Sequence, residues 1–308
     1  MTTPRKQLIS IIDTPYYHVV TRCVRRAFLA GYDKLSKTSF EHRRQWIVGR
    51  MMFLCEVFSI DICSYAVMSN HYHIVLKISE NKLWTMDYTL KTWNKLYGLP
   101  FLCEKFQRGE ITNRAEMRQV KKMVRKYRKR LMNISWFMKC LNEYIALKAN
   151  AEDNCKGHFW ESRFKSQALL DERALLTCMA YVDLNPIRAA MANTPEDSDY
   201  TSIQDRIKNK DTKLLGFNDS AIPYYLSEYI ALVDYTGKCV RPNKKGYISD
   251  DIPDILNRLE IHPDTWVEEM KQFRTNGITA VGTVSQLKSF CQSVKKSFSI
   301  GFKLPALE

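Results

Sequence analysis

No Cys-x-x-Cys pair occurs anywhere in the 308 residues. That removes the usual sequence basis for a thiolate zinc site or a dithiol redox centre. The nine cysteines (Cys23, Cys55, Cys63, Cys103, Cys140, Cys155, Cys178, Cys239 and Cys291) are odd in number and scattered. They read as reduced thiols of a cytoplasmic protein rather than a disulfide framework. No uninterrupted apolar run approaches the roughly 20 residues that cross a bilayer, so no membrane partner is expected. Met1 to Ile12 has early charge but no long apolar stretch ending in small residues, so no secretory signal is read. Internal repeats and low-complexity tracts are missing too. Acidic residues are in short supply, 33 against 47 basic, for a formal charge of +14. Such an excess favours a polyanionic partner through counterion release, although it also serves plain solubility.

What is present is an alternation of strand and helix patterns. Pro15–Val24 alternates as a strand, and Ser39–Phe58 carries apolar residues at helical spacing with Ser39 as a possible cap. Ile60–Met68 and His71–Ile78 read as two strands joined at Ser69-Asn70. A helix is expected over Lys82–Tyr97. In Asn113–Arg130, nine of eighteen residues are Lys or Arg, with Glu116 the one acid. Val120, Met123, Val124 and Tyr127 give this segment a thin apolar stripe, so it reads as a basic helix. Its charge fits a solvated face as well as a phosphate-binding one. Ile134–Ala149 and Asp171–Leu184 are further helix candidates, separated by an extended His158–Leu170. A boundary is placed near residue 203. The tail, 204–308, reads as mainly helical, with short helices over Ile252–Leu259, Thr265–Phe273 and Val284–Phe298.

Three local features bear on chemistry. In His71-Tyr72-His73 the two imidazoles fall on one strand face, about 7 Å apart at Cα. Both can turn toward one ion, although a structural pair satisfies the same spacing. Tyr181 and Asn185 lie four apart, so a phenol and an amide share a helix face. Pro186 is expected to fix the chain as it leaves the helix at Asn185. In Gly157–Ser166, basic and aromatic residues alternate. Arg163 and Lys165 share a face suited to single-stranded nucleic acid, while Phe159 and Phe164 face a core. Glu161 is a possible outer-shell acceptor for a metal-bound histidine, or an ordinary ion-pair partner. His18 is expected to be structural.

Together these segments resemble the IS200-like tyrosine transposases, and most closely the REP-associated tyrosine transposases. The resemblance rests on Tyr17-His18-Val19-Val20-Thr21-Arg22, Met68-Ser69-Asn70-His71-Tyr72-His73, Ile134–Asn150, Gly157–Ser166 and Tyr181-Val182-Asp183-Leu184-Asn185-Pro186-Ile187-Arg188-Ala189. It covers roughly residues 12–203, with the basic segment near 105–133 as an insertion. It implies an α+β, ferredoxin-like antiparallel sheet with helices packed on one face. It also implies Tyr181 as nucleophile, and His71, His73 and Asn185 as ligands of a divalent metal. An open set of two imidazoles and an amide oxygen suits Mg²⁺ or Mn²⁺. The implied activity is cutting and rejoining of hairpin-bearing single-stranded DNA through a 5′-phosphotyrosine, by a monomer or homodimer. Thr21, Arg22, Arg25, Arg26, Lys121, Lys122, Arg125, Lys126, Arg163 and Lys165 are the DNA-contact candidates. A non-cleaving nucleic-acid-binding regulator of the same fold is the alternative. An RNA-binding module is a weaker one, because the aromatic RNA-binding signature is missing.

Overall fold

The computed structural model describes residues 3–24, 29–34, 37–209, 212–218, 221–240, 252–273, 277–296 and 301–304. Strand β1 (Tyr16–Arg22) leads to a short ladder of β2 (Tyr32–Asp33) with β3 (Thr38–Ser39), then to helix α1 (His42–Cys55). Strands β4 (Ile60–Val67) and β5 (His71–Ile78) form a hairpin. Helices α2 (Met86–Asn94), α3 (Phe101–Gln107), α4 (Arg114–Leu131) and α5 (Ile134–Glu152) connect it to β6 (Lys165–Leu169). Then come α6 (Glu172–Asp183), α7 (Asn185–Arg188), α8 (Ser202–Lys208), α9 (Leu226–Cys239), α10 (Asp254–Arg258) and α11 (Pro263–Gln272). The chain closes with β7 (Ala280–Gly282), α12 (Val284–Ser293) and β8 (Gly301–Lys303).

Among the described residues six strands make one mixed sheet in the order β4-β5-β1-β6-β7-β8. Its first four strands are antiparallel neighbours, whereas β6, β7 and β8 run parallel. The protein is therefore of mixed α and β structure, as expected. Two details differ from expectation. The tail adds two parallel strands to the sheet; at three residues each, they are too short to show a period-two pattern. Helices also cover both faces rather than one. Strand side chains alternate between faces. Tyr17, Val19, Tyr72, Ile74 and Leu76 pack with Met51, Leu54, Val124, Phe137 and Leu141 from α1, α4 and α5. On the other face Cys63, Ala66 and Val75 pack with Leu175, Met179 and Val182 of α6, Leu232 of α9 and Trp266 of α11. Strands β4 and β5 are buried almost continuously, so neither face can be left to water.

Side-chain caps fix several helix starts. Asn113, Asn133 and Asp171 each accept a backbone N–H at the head of α4, α5 and α6. Ser39 does not cap α1, since it lies in β3 and Glu41 takes the cap position. In α4 the residues Val120, Val124, Tyr127 and Leu131 form the buried stripe, which turns the cations outward.

Helix α6 is pinned from its C-terminal end. The Asp183 carboxylate is fully buried and accepts from the Ser202 hydroxyl, from the Ile203 N–H (2.9 Å) and from the Tyr229 hydroxyl (2.6 Å). Burial pushes its pKa up to about 6, partly offset by the Ser202 and Tyr229 hydrogen bonds. Asp183→Ala strands three buried donors and is expected to cost about 3 kcal/mol in urea unfolding, with the m-value unchanged. The pH dependence has a definite sign. The folded protein holds this proton more tightly than the unfolded chain, whose value is about 3.9. The stabilising contribution is therefore full below about pH 4 and declines as pH rises through 6. Unfolding curves of wild type and Asp183→Asn across that window should differ by this descending component.

Candidate active site

Three imidazoles share the sheet face that α6 covers. His18 lies opposite Val75, and His73 lies opposite Val20, so the two rings are diagonal neighbours on adjacent strands. Their centroids are 5.1 Å apart and stacked, while His71 meets His73 edge-on at 4.9 Å. His18 and His73 are buried, and His71 is half-buried at the strand end.

The hydrogen bonds fix which nitrogen of each ring carries the proton. His18 Nδ1 lies 2.7 Å from Gln167 Oε1, an oxygen that only accepts, so Nδ1 is the protonated nitrogen. Burial lowers the pKa of His18 to about 4, so at neutral pH its Nε2 is a bare acceptor. That Nε2 lies 2.9 Å from His73 Nδ1, which must therefore donate. Burial first, then His18, His71 and Arg22, hold His73 well below the usual histidine value, so His73 is neutral and its Nε2 is a lone pair. Among the described residues no group meets that buried nitrogen. His71 follows the same rule. Its Nδ1 faces Asn70 Oδ1 at 2.6 Å, and burial with Arg22 lowers its pKa to about 4, which leaves Nε2 as a lone pair. Two neighbouring rings thus present Nε2 lone pairs, each oriented by an acceptor behind it, the arrangement that metal-binding histidines need.

Tyr181 meets this array from α6. Of the twelve residues in α6, only Glu172 and Tyr181 escape full burial. The Tyr181 ring lies 5.9 Å from His73 and 6.4 Å from His18, edge-on to both. Its other neighbours are Phe273, 4.9 Å away, and the Arg188 guanidinium, 5.3 Å from the ring centre. Arg188 is held by its hydrogen bond to Met270 O at 2.6 Å. Asn185 lies one turn on, and its Nδ2 donates to Tyr181 O at 2.9 Å. Pro186 does not release the chain there; Asn185 opens α7, where proline is tolerated in the first turn.

The other candidates divide. Arg22 is exposed and paired across the strands with His71, on the histidine face. Arg163 and Lys165 are exposed at the β6 end of the sheet. Thr21 is a correction: it is 2 % exposed and pairs with Tyr72, whose side chain points to the opposite face, so it cannot touch a ligand at the histidines. Arg25 and Arg26 lie outside the described residues. Lys121, Lys122, Arg125 and Lys126 are exposed on α4, on the far face of the sheet from the histidines. Glu161 is exposed; its backbone N–H, rather than its carboxylate, joins β1 by donating to Arg22 O at 2.9 Å. The acceptors behind the histidines are Gln167 and Asn70. Sequence reasoning missed both, although Asn70 adjoins His71 and Gln167 sits two residues beyond Lys165. Among the described residues no cluster of three or more His, Cys, Asp or Glu converges to hold a metal ion. Any ion here would need an amide oxygen beside the two histidines. Nitrogen-15 spectra of histidine-labelled protein at pH 7 should show His18, His71 and His73 all as the Nδ1–H tautomer, the minor form of the free side chain. Gln167→Leu should return His18 and His73, but not His71, to a mixture.

No protein-family model and no curated protein matches this chain. Among solved structures, one described as a REP-associated tyrosine transposase bound to a REP hairpin is similar over 73% of this chain and 96% of its own, at 12% identity and a TM-score of 0.36. A superposition that loose carries no argument about this chain.

Proposed function

We propose that this protein cuts and rejoins single-stranded DNA, with Tyr181 as the nucleophile and a divalent ion, Mg²⁺ or Mn²⁺, held by His71, His73 and Asn185. The observation that carries the reading is the partly exposed ring of Tyr181 lying edge-on to His73 at 5.9 Å, where His73 and its neighbour His71 each carry an Nε2 lone pair. The fit to an ion rests on the buried His73 Nε2, which has no partner among the described residues and costs about 1–3 kcal/mol if left so. The amide oxygen is the donor type that Mg²⁺ and Mn²⁺ take, and the set holds no thiolate to close a zinc site. When bound, the ion would act as a Lewis acid on the scissile phosphate.

The chain's own residues supply the rest. The Tyr181 oxygen attacks phosphorus and forms a phosphotyrosine; the bond from phosphorus to the 3′-oxygen breaks, and that oxygen takes up a proton as the phenol loses one. The Arg188 guanidinium stands over the ring, 5.3 Å from its centre, and places a cation next to the attacking side chain. Attack by a 3′-hydroxyl on the phosphotyrosine reverses the step, so rejoining consumes no nucleotide. Gln167 and Asn70 keep the imidazoles in the tautomer that leaves Nε2 free. Within the same proposal, β1, β4, β5 and β6 form a ferredoxin-like unit, supported by their order and antiparallel pairing. Residues 1–203 make the nicking core, and 204–308 cover its second face. The motifs quoted from the sequence support the same assignment.

Helix α4 enters as a surface for the duplex stem of a hairpin. Lys122, Arg125, Lys126, Lys129 and Arg130 line an open groove with Trp136, of about 430 Å³. None of these five forms an ion pair among the described residues, so their charge is available to phosphates.

Two experiments test the proposal. Wild-type protein, a labelled hairpin-bearing oligonucleotide and Mn²⁺ should give an adduct that survives denaturation. Tyr181→Phe should give none while binding stays within about threefold, and chelation of the metal should also abolish it. Binding by wild type with no adduct at any metal concentration would leave the non-cleaving regulator standing. Changing Lys122, Arg125, Lys126 and Lys129 together to Gln should lower the salt slope of hairpin binding by about 3 to 4, at about 0.9 per phosphate contact. Adduct formation on a stemless oligonucleotide should be unchanged.

A further inference from the structure

A second cationic site lies on the open side of β6. On β6, strand β7 pairs with Ala168 and Leu169, and among the described residues the first residues of β6 have no strand neighbour on that side. A cavity of about 340 Å³ opens there, between the N-terminal segment, residues 162–166 and residues 277–279. Among the described residues three cations line it, Arg5, Arg163 and Lys165, and no Asp or Glu does. The Arg5 guanidinium stacks on Phe164 at 3.6 Å and is anchored by the Phe164 carbonyl and by Ser166 Oγ at 3.3 Å. Arg163 is anchored by donating to Thr3 O at 3.1 Å. Two guanidiniums are thus fixed around one cavity although they repel. Burial, and then Arg163, lower the pKa of Arg5 to about 10. Across the cavity the Thr279 hydroxyl has no hydrogen-bond partner among the described residues. Phe164 and Ile278 give the cavity an apolar part.

Its position relative to the histidines follows from register. Lys165 lies opposite Val20, and Val20 lies opposite His73, so all three share one row and one face. Ser166 lies opposite Val19 and, with Phe164, faces the other way, so the cavity straddles the edge of β6. Two inter-strand spacings, about 10 Å at Cα, separate Lys165 from His73, and a single strand that rounds this edge reaches Arg5 and Phe164 beyond it.

We infer that this cavity binds a phosphodiester of single-stranded DNA a few nucleotides from the phosphate at Tyr181, where the strand rounds the edge of β6, with Arg5, Arg163 and Thr279 on its oxygens and Phe164 beside its base. The inference rests on the proposed role of Tyr181 for its register. It adds a site that fixes which linkage is presented for attack, because charge-assisted contacts to one phosphate locate the strand.

The test replaces one phosphate at a time by a neutral methylphosphonate in a stemless oligonucleotide. Affinity is read by fluorescence anisotropy without metal, so that no cleavage intervenes. For wild type, neutralising a single position within a few nucleotides of the cleaved linkage should weaken binding about tenfold, the worth of one charge-assisted contact. Arg163→Gln should weaken binding to the all-phosphate strand by a similar factor and lose any further response at that position. Arg163 is exposed, so its replacement should not disturb folding; Arg5→Gln, checked by thermal unfolding, should repeat the pattern. If the two losses multiply, or if no position responds, the phosphate is not in this cavity. Competition by millimolar deoxynucleoside monophosphate would mean that the cavity takes free nucleotides, and would overturn the strand-binding inference. A coupled position without any adduct would keep the pocket and remove the nicking reaction. An adduct without a coupled position would do the reverse.

Discussion

A neutral imidazole has one donor and one acceptor, and when it is buried each must be given a single direction. In this protein the direction starts at Gln167. Its carbonyl oxygen can only accept, so His18 turns a proton toward it; His18 can then only accept from His73, and the His73 Nε2 is left bare. Asn70 sets His71 in the same sense. Among the described residues no donor meets the buried His73 lone pair, and an unmet buried polar atom costs about 1–3 kcal/mol. A fold tolerates such a cost where surrounding contacts over-determine the geometry. Here the histidine strands lie between two apolar clusters, one on each face.

The second half of the chain takes part in the same geometry. Tyr181 is the residue that α6 leaves partly open near the histidines, and its surroundings come from the tail: Phe273 lies against the ring, Phe302 lies against Phe273, and Met270 holds Arg188. Asp183, two residues on, ties α6 to α8 and α9. Removing residues 204–308 would therefore strip the ring's apolar flank and the Tyr229 hydroxyl, one of the three donors to Asp183, at once. The extension acts on the candidate nucleophile through packing.

How legible all this was in the sequence depends on the range of the forces involved. Strand β5 reads from its residues alone, because His71–Ile78 alternates against two faces and Asn70 breaks the hairpin. Helices α4, α5 and α6 read equally well, because each begins at an Asn or Asp cap and carries an apolar stripe. The pairing of His71 with His73 is local, so period-two geometry finds it. The facing of Tyr181 onto them is long-range, and only the resemblance supplied it. What failed was also long-range. Gln167 became the partner of His18 through strand register, which no spacing in the sequence encodes. Thr21 looked like a ligand contact beside Arg22, yet one step along a strand reverses the face. The strands β7 and β8 are too short to announce themselves, and they exist because β6 offers an edge to pair with.

Charge completes the account, because it lies on both sides of the sheet. The cations of α4 project from the face opposite the histidines, whereas Arg22, Arg163 and Lys165 sit at the histidine face or its edge. At physiological salt, exposed charges are screened beyond about 8 Å, less than the thickness of a sheet with a helix layer on it. The two cationic regions therefore cannot substitute for one another. A nucleic acid that touches both must wrap an edge of the sheet, and one that touches only α4 gains affinity without approaching Tyr181. Affinity from one surface and register from the other are thus separable quantities, which a duplex stem joined to a flexible single strand is built to satisfy together.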